Sequence, residues 1–407
     1  MTVDPAPERT SRQVRSGRIN RRPPSFVATL FALAIVFALA WMFFVRSGST
    51  VPTPEVNGIQ GTFTYAPQPS PAPVGVSGEF SLVSSGDGRV AGQTASGRGA
   101  QPGAQSAYDA ATRTETTYPG ALPESHLRRT IGAWPPAWRI ETHDPLDYQG
   151  LSAIVRAAVE DGDHAVGLKP LEQDGRKVWR AAMRMDGKAL EVVVDQQTGI
   201  VTWYTDGAET FTAHVDWASP PPPGTTYAVS APAGTPVKTV KVTGVSYAAS
   251  PAEAGKTAGY DPLVSDLAPD GFALKAVATR DESGSPSEWL GGQGGPLPGP
   301  PEALVAQLYT RGLSWFTMEQ IGPKAAKELQ GRFADALAKD KDTQLSFQET
   351  TLQYGAFKGA TAATWYQPSG PSLFVMGHYR AVFITGALTR QELIAYAEGL
   401  KPVPAAQ

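Results

Sequence analysis

A run of 21 residues without a charged side chain, Ser25–Val45, constrains this chain more than any other stretch. At a rise of about 1.5 Å per residue, a helix of this length spans roughly 30 Å, the thickness of the hydrocarbon core of a bilayer. Trp41 lies near one end of the run, where an amphipathic ring favours the headgroup level. The run therefore predicts a transmembrane helix over residues 25–45, with a fully buried soluble helix as the alternative.

The flanks of this run predict its orientation. Six arginines between Arg9 and Arg22 precede it, against Asp4 and Glu8, whereas Arg46 is the one basic residue that follows closely. Because the more basic flank stays in the cytoplasm, we expect a single-pass cell-membrane protein with a cytoplasmic N-terminus and extracytoplasmic C-terminal domains. A cleaved signal peptide is the rival interpretation, but the apolar run is too long for one and no clear cleavage motif follows.

Composition narrows the classes of function. The 407 residues contain no cysteine, so disulfides, thiolate metal sites and cysteine nucleophiles are excluded. Net charge is −3, and the part after the basic tail is more acidic than the whole chain. An acidic exported part gives no reason to expect nucleic-acid binding.

Changes in composition divide the chain into six parts. Proline-rich stretches interrupt the strand patterns because proline cannot donate to a β-ladder. The parts are a cytoplasmic tail (1–24), the transmembrane helix (25–45), a stalk (46–57), a first domain (58–217), a Pro-rich linker with one strand (218–259) and a smaller α+β domain (260–403).

The first domain begins with a period-two pattern. Phe63 and Tyr65 alternate with threonines, and Phe80 lies in a second segment of the same kind. Such alternation predicts strands with one apolar face. The segment Leu122–Trp134 is instead compatible with a short helix before a proline pair.

An apolar stripe then predicts one long helix over Asp144–Glu160. We expect Asp144 or Asp147 to cap its start and Gly162 to end it. The residues of the stripe are Leu151, Ile154, Val155, Ala158 and Val159.

Four turn dipeptides punctuate the rest of the first domain, and hairpins at this spacing with one apolar face predict a curved sheet or an open barrel. They are Asp174-Gly175, Asp186-Gly187, Thr198-Gly199 and Asp206-Gly207. The large apolar residues between these turns either line a ligand cavity or form an ordinary core, and the pattern leaves both open. They are Trp179, Met183, Met185, Trp203 and Phe211.

Motifs for catalysis are absent from the sequence, which has no HExxH and no GxSxG and whose histidines stand singly. Ala252–Thr257 resembles the end of a phosphate-binding loop, but Ser250 occupies the place of the first glycine. The acidic group Glu160–His164 is either a metal site or a solvated helix end, and the missing distal glutamate favours the second. His214, on the polar face of a strand, is expected at the surface. We therefore expect no cofactor, no metal and no enzymatic activity.

Short motifs in the meander carry a family resemblance. A strand with Gly175-Arg176 and Trp179, followed by a hairpin with Val194-Asp195 and Thr198-Gly199, is similar to the pattern of the LolA/LppX/RseB superfamily of envelope proteins. The C-terminal part resembles the second domain of RseB/MucB-like two-domain ectodomains, including those of actinobacterial type. The resemblance covers about residues 58–217, and residues 260–403 more loosely.

This resemblance implies an α+β fold with an antiparallel half-barrel wrapped around a helix, followed by a smaller α+β domain. The N-terminal transmembrane helix predicted above precedes them and is a departure from the resembled family. The apolar concave face of the half-barrel would bind a lipid or acylated molecule. The lining it implies comprises Phe63, Tyr65, Phe80, Leu151, Ile154, Val155, Trp179, Ala181, Met183, Met185, Val192, Trp203, Phe211 and Ala213.

The function implied is that of a non-enzymatic, membrane-anchored regulator that senses such a ligand and binds a partner such as a membrane-bound anti-sigma factor. The alternatives are a lipid or lipoprotein carrier of the LolA/LppX type and a structural interaction module with a filled core. Because the predicted transmembrane helix would hold the chain at one membrane, a sensor is favoured over a carrier that diffuses between membranes.

Overall fold

The computed structural model describes residues 57–67, 76–84, 90–96, 105–119, 126–133, 148–219, 227–269, 271–280, 303–327, 344–377 and 380–406. The predicted tail, the predicted transmembrane helix and most of the predicted stalk lie outside the described residues. Within the described ranges, every helix is too short or too polar to cross a bilayer.

The larger of the sheets has twelve strands in the order β12-β6-β5-β4-β3-β2-β1-β11-β10-β9-β8-β7. Its pairings are antiparallel apart from the parallel pair β12–β6. The strands are β1 (Gly58–Pro67), β2 (Val76–Ser84), β3 (Val90–Ser96), β4 (Gln105–Asp109), β5 (Thr114–Tyr118), β6 (Leu127–Ile131), β7 (Gly167–Gln173), β8 (Arg176–Met185), β9 (Lys188–Asp195), β10 (Val201–Thr205), β11 (Glu209–Ser219) and β12 (Val237–Lys241).

The second sheet has eight strands in the order β13-β15-β16-β17-β21-β20-β19-β18, and β14 pairs with β22 in a separate ladder. The strands are β13 (Val245–Ala248), β14 (Leu263–Ser265), β15 (Ala273–Arg280), β16 (Leu304–Arg311), β17 (Ser314–Ile321), β18 (Leu345–Thr351), β19 (Thr361–Gln367), β20 (Gly370–Met376), β21 (Ala381–Gly386) and β22 (Leu400–Pro402). The helices are α1 (Gln149–Asp161), α2 (Pro251–Ala258) and α3 (Arg390–Glu398), with a 3-10 turn at Gly355–Phe357, and residues 323–327 are also helical. The described chain is thus mostly sheet with few helices, in the α+β class.

The turn chemistry predicted from the sequence is confirmed. Asp174 and Gly175 have φ angles of 51° and 74°, and Asp186 and Gly187 have 49° and 78°. Positive φ at both residues of a two-residue loop matches the twist of a hairpin, which is why these dipeptides close β7–β8 and β8–β9. A further hairpin turns near Gly377, whose N–H donates to Arg380 O at 2.9 Å between β20 and β21.

The predicted end of α1 is confirmed, whereas its predicted start differs, and α3 begins with a capping box. Gly162 ends α1 in the left-handed region at φ 65°, and its N–H donates to Ala158 O. The capping box of α3 is present, with Thr389 and Glu392 each bonding the other's backbone N–H. The start of α1 differs from the prediction, because its N-cap is Tyr148, whose side chain makes no capping bond.

Two further segments depart from the sequence-based expectation. Within Leu122–Trp134, the residues Leu127–Ile131 form strand β6, because pairing with β5 and β12 outweighs a weak local helix propensity. The predicted linker 218–259 contains two strands and a helix, with β12 in the first sheet and β13 in the second. The two sheets are therefore joined through Val242, Thr243 and Gly244.

Candidate functional site

Helix α1 is packed between the two sheets, and all residues from Gln149 to Ala158 are buried. Leu151, Ile154 and Val155 face the first sheet, where they join one apolar cluster with β8–β11 and β1. Gln149 and Arg156 bond to the second sheet and to the α3 region. The helix has two buried faces of different chemistry, and these define the candidate site.

The structure brings most of the predicted lining residues together. Register explains this, because Ala181, Val192, Tyr204 and Phe211 are successive cross-strand partners and so lie on one face of the sheet. The predicted residues in or against the cluster are Phe63, Tyr65, Leu151, Ile154, Val155, Trp179, Ala181, Met183, Met185, Val192, Phe211 and Ala213.

Two predicted lining residues do not belong to this cluster as described. Trp203 is the register partner of Val193, which also pairs with Arg180, so Trp203 lies on the opposite face. The Arg180 guanidinium stands 5.9 Å from the centre of its ring. A bulge between Val201 and Trp203 shifts the alternation in β10, which is why counting by twos placed Trp203 wrongly. The side chain of Phe80 lies outside what the structure describes.

Aromatic rings gather where α1 begins. Tyr148 stacks on Tyr204 with ring centres 4.8 Å apart and packs against Phe211 at 5.0 Å. Phe63 lies 6.4 Å from Phe211, and the Tyr65 hydroxyl donates to the Glu209 carboxylate at 2.6 Å. Burial raises the pKa of Tyr204 to about 12, so its phenol stays neutral. The start of α1 therefore lies beside flat aromatic rings, and the tyrosines among them add hydroxyl groups to this apolar surface.

Two polar atoms of the cluster have no hydrogen-bond partner within the described structure, the Tyr366 hydroxyl and the Trp179 indole nitrogen. The Trp179 indole Nε1 is buried and makes no hydrogen bond within the described structure. A buried donor without an acceptor is destabilising by about 1–3 kcal/mol, so buried groups of this kind are rare in folded proteins. An acyl carbonyl or headgroup oxygen is an acceptor of the kind this N–H lacks.

The middle of the helix–sheet interface is filled. Ile154, Val155, Ala181 and Phe211 are each 0% exposed. A side chain without accessible surface has no water-sized space beside it. An acyl chain would therefore need the sheet and the helix to separate here, whereas the half-buried Tyr65, Tyr148 and Trp179 can be reached from the surface.

The other face of α1 contacts the second sheet. A Cβ on Gly150 would lie 2.1 Å from Pro368 O, so glycine is needed for this approach. The Gln149 amide donates to Leu313 O at 3.1 Å and accepts from Trp315 N–H at 3.2 Å, in the orientation that satisfies both of its polar atoms. Backbone of the second sheet thus closes directly against the start of the helix.

Arg156 anchors the middle of this face. Its Nη2 donates to Glu392 Oε2 at 2.6 Å and to Ala387 O at 3.0 Å, and its Nη1 donates to Glu392 Oε1 at 3.3 Å. The Arg156 side chain is 8% exposed and that of Glu392 is 32% exposed, so this is a partly buried, forked pair. It joins α1 to the start of α3 across 236 residues of sequence.

Arg390, the first residue of α3, contacts the acidic side chains at the C-terminal end of α1. Its Nη1 lies 3.4 Å from Asp163 Oδ2 and 3.7 Å from Asp161 Oδ2, and its Nη2 donates to Ser346 O at 2.8 Å. The guanidinium carbon stands 4.9 Å from the centre of the Tyr366 ring. The expectation of a solvated helix end at Glu160–His164 is corrected here, because Ser346 of the second sheet bonds Asp163, and Arg390 of α3 supplies the cation for Asp161 and Asp163.

Burial acts on these two carboxyl groups with different results. Burial raises the pKa of Asp161 above 3.8, and the Arg390 charge offsets this only in part. Burial also acts to raise the pKa of Asp163, but hydrogen bonds from Ser346 Oγ and Ala165 N–H, with the Arg390 charge, hold it below 3.8. The ionised form is therefore disfavoured at Asp161 and favoured at Asp163.

Sequence reasoning missed the polar half of the site. Arg156, Glu392 and Arg390 are separated by up to 236 residues, and no local pattern relates them. The one available signal is an arginine inside the apolar helix segment, which needs a buried partner. Elsewhere, His214 is exposed as expected, and the described residues hold no group of three or more potential metal ligands.

Comparisons with known proteins place this geometry in context. No protein-family model and no curated protein matches the chain. Among solved structures, MucB in complex with MucA(peri) is 16% identical, with 86% of this chain and 94% of that chain covered at a TM-score of 0.27. The Pseudomonas aeruginosa MucA/MucB complex is 15% identical, with 89% and 98% covered at 0.27.

A LolA superfamily protein from Nitrosomonas europaea is 6% identical, with 42% of this chain and 89% of that chain covered at a TM-score of 0.19. Similarity at these TM-scores is too low to establish a shared fold or a shared function.

Proposed function

We propose that this chain is a non-enzymatic envelope protein of the RseB/LolA type, held at the cell membrane by Ser25–Val45. Its first sheet and α1 would bind a lipid or acylated ligand, and its two sheets together would bind a partner such as an anti-sigma factor. The motifs around Trp179 and Thr198-Gly199 carry the resemblance on which the family assignment rests.

The observation that carries the ligand part is the continuous apolar face of β8–β11 and β1 against α1. It combines two methionines, Met183 and Met185, with the rings of Tyr148, Tyr204 and Phe211. Flexible thioethers and flat rings adapt to an acyl chain better than branched side chains do. The unpartnered Trp179 N–H adds one directional contact at the same surface.

Ligand entry on this proposal requires α1 and the sheet to move apart, since the centre of their interface is filled. The polar face of α1 would report that movement, because Arg156 bonds the helix to Glu392 at the start of α3. A ligand shifts such an equilibrium only by its differential affinity for the two states. Sensing would thus be a change at the contacts between α1 and the second sheet.

Photolabelling tests the ligand part. The full-length chain in nanodiscs is exposed to a diazirine-bearing fatty acid, and adducts are mapped by mass spectrometry. We expect adducts at the apolar cluster, and Trp179→Phe should lower their yield about twofold to tenfold, as for one hydrogen bond of about 0.5–1.5 kcal/mol. Trp203→Phe is the matched control on the opposite face and should leave the yield unchanged.

The filled centre favours a second candidate, a structural interaction module that binds no lipid. Ile154, Ala181 and Phe211 are 0% exposed, as in an ordinary core. Adducts confined to Ser25–Val45, with none at the cluster, would decide for this candidate and against the proposal.

A further inference from the structure

Strand β12 ends the first sheet and departs from its otherwise antiparallel pattern. Val237–Lys241 pairs in parallel with β6 on one side, and no described strand pairs with its other side. All its residues except the half-buried Val240 are exposed, with Val237 at 56%. The outer side of β12 is therefore an open sheet edge within the described structure.

The direction of the backbone groups follows from two hydrogen bonds. Leu127 N–H donates to Pro236 O at 2.8 Å, and Val242 N–H donates to Ile131 O at 3.0 Å. In a parallel ladder, alternate residues direct both backbone groups to the same neighbour. The backbone groups that point to β6 are thus those of Pro236, Lys238, Val240 and Val242. The N–H and C=O groups of Val237, Thr239 and Lys241 point to the open edge.

The side chains around this edge are mainly basic. Lys238 is the register partner of Arg128, and Thr239 is the partner of Arg129, while Lys241 lies at the end of the strand. All four cations are exposed. In the rows formed by β5, β6 and β12, Glu115 is the one acidic residue, and it lies in the row of Thr130 and Val240. Like charges placed opposite each other, such as Lys238 and Arg128, destabilise a sheet unless an anion lies between them.

The opposite edge of the sheet is different. Strand β7 contains Pro170, which has no N–H to offer and so blocks strand addition. Its exposed charges are mixed, with Lys169 and Glu172 in the same strand. One edge of the sheet is thus closed by a proline, and the other is open and basic.

We infer that the β12 edge is a docking site for an acidic, extended segment of a partner protein, which adds to the first sheet as a further strand. The outward groups of Val237, Thr239 and Lys241 bond its backbone, and the lysines and arginines bind its carboxylates. A second copy of this chain is excluded as the occupant by charge, since two edges with the same four cations repel each other. An anionic lipid headgroup lacks the alternating donors and acceptors that the edge presents.

This inference rests on the partner-binding half of the proposed function, and it names the chemistry of that partner. It is independent of acyl binding, because β12 lies at the opposite end of the sheet order from β8 and β9.

Peptide binding tests it. The full-length chain in nanodiscs of uncharged lipid is titrated against a fluorescein-labelled eight-residue peptide that alternates glutamate and valine, and anisotropy is followed. We expect saturable binding that weakens with salt, and no binding of the lysine–valine counterpart. Hydrogen exchange of the segment 236–243 should slow when the acidic peptide is bound.

Two variants separate charge from backbone. Lys238→Glu combined with Lys241→Glu should weaken binding at least tenfold. Thr239→Pro should also weaken it at least tenfold while every charge is kept, because the lost N–H points away from β6. Lys169→Glu combined with Lys177→Glu changes net charge equally at the other edge and should have no effect.

Three results would overturn the inference: no binding of the acidic peptide, equal binding by Thr239→Pro, or binding of phosphatidylglycerol vesicles without binding of the peptide. In the first case the lysines serve only to keep the edge unpaired. If one of these results is obtained while photolabelling of the apolar cluster persists, the β12 docking site has failed and the ligand proposal stands.

Discussion

Both faces of α1 are buried, but one is held by apolar packing and the other by hydrogen bonds and an ion pair. Leu151, Ile154 and Val155 bury apolar surface against the first sheet, an interaction that has no required direction. Gln149 and Arg156, on the other face, make directed bonds to partners 166 and 236 residues away. Ser152 Oγ adds one directed bond to the first sheet, at Gly199 O. The comparison teaches that the helix is bound to the first sheet mainly by buried apolar area and to the second mainly by directed contacts.

This difference has an energetic consequence. Buried ion pairs lose hydration, so their net contribution to stability is small, although breaking one partner is strongly destabilising. The apolar face therefore supplies most of the stabilisation of α1. Gly150 and Arg156 on the polar face, together with Arg390 of α3, fix where the second sheet sits against the helix. Three predictions test this division.

The largest effect is expected from Arg390→Met. It leaves Asp161 and Asp163 beside each other without their cation, which should lower the free energy of unfolding by about 3–5 kcal/mol. Ile154→Val, on the apolar face, removes one methyl group from a buried side chain and should lower it by about 0.5–1.5 kcal/mol. Urea denaturation followed by tryptophan fluorescence measures both values, and equal losses would contradict the division.

Gly150→Ala should have an intermediate effect of about 1–3 kcal/mol, because the new methyl group meets Pro368 O at 2.1 Å and forces the second sheet away. Gly167→Ala is the control, since its nearest neighbour is Ala182 O at 3.3 Å on an exposed edge strand. Thermal unfolding compares the two variants. A Gly150→Ala protein as stable as the control would show that the close approach to β20 is not required.

The smallest effect is a pH dependence with opposite signs at two neighbouring carboxyl groups. The folded-state pKa of Asp163 lies below 3.8, so its contribution is present above that pH and lost as the pH falls through the folded-state value. The pKa of Asp161 is raised, so its ionisation lowers stability as the pH rises above about 4.

At pH 7, Asp163→Asn should therefore destabilise the protein and Asp161→Asn should stabilise it. Unfolding free energies measured between pH 3 and pH 7 check the two slopes. The same sign for both variants would mean that the hydrogen bonds from Ser346 Oγ and Ala165 N–H do not distinguish Asp163 from Asp161.

Much of the first sheet could be predicted from local pattern. The turns at Asp174-Gly175 and Asp186-Gly187 need positive φ, and the stripe of α1 follows a 3.6-residue period, so both are local properties. The apolar residues around Ala181 and Phe211 were also predicted correctly, because side chains alternate between the two faces of a strand. Trp203 was misplaced because a bulge in β10 changes the alternation, and β6 was missed because its pairing with β12 depends on residues more than 100 positions away.

The sequence by itself determined most of the strands of the first sheet, the turns and the apolar face of α1, because these depend on side-chain period and on backbone φ within a few residues. Only the tertiary structure decided what covers the polar face of that helix, that Arg390 reaches Asp161 and Asp163, and that β12 forms an open basic edge. Directed contacts between distant residues leave no local period in a sequence, and they exist only once two sheets have packed.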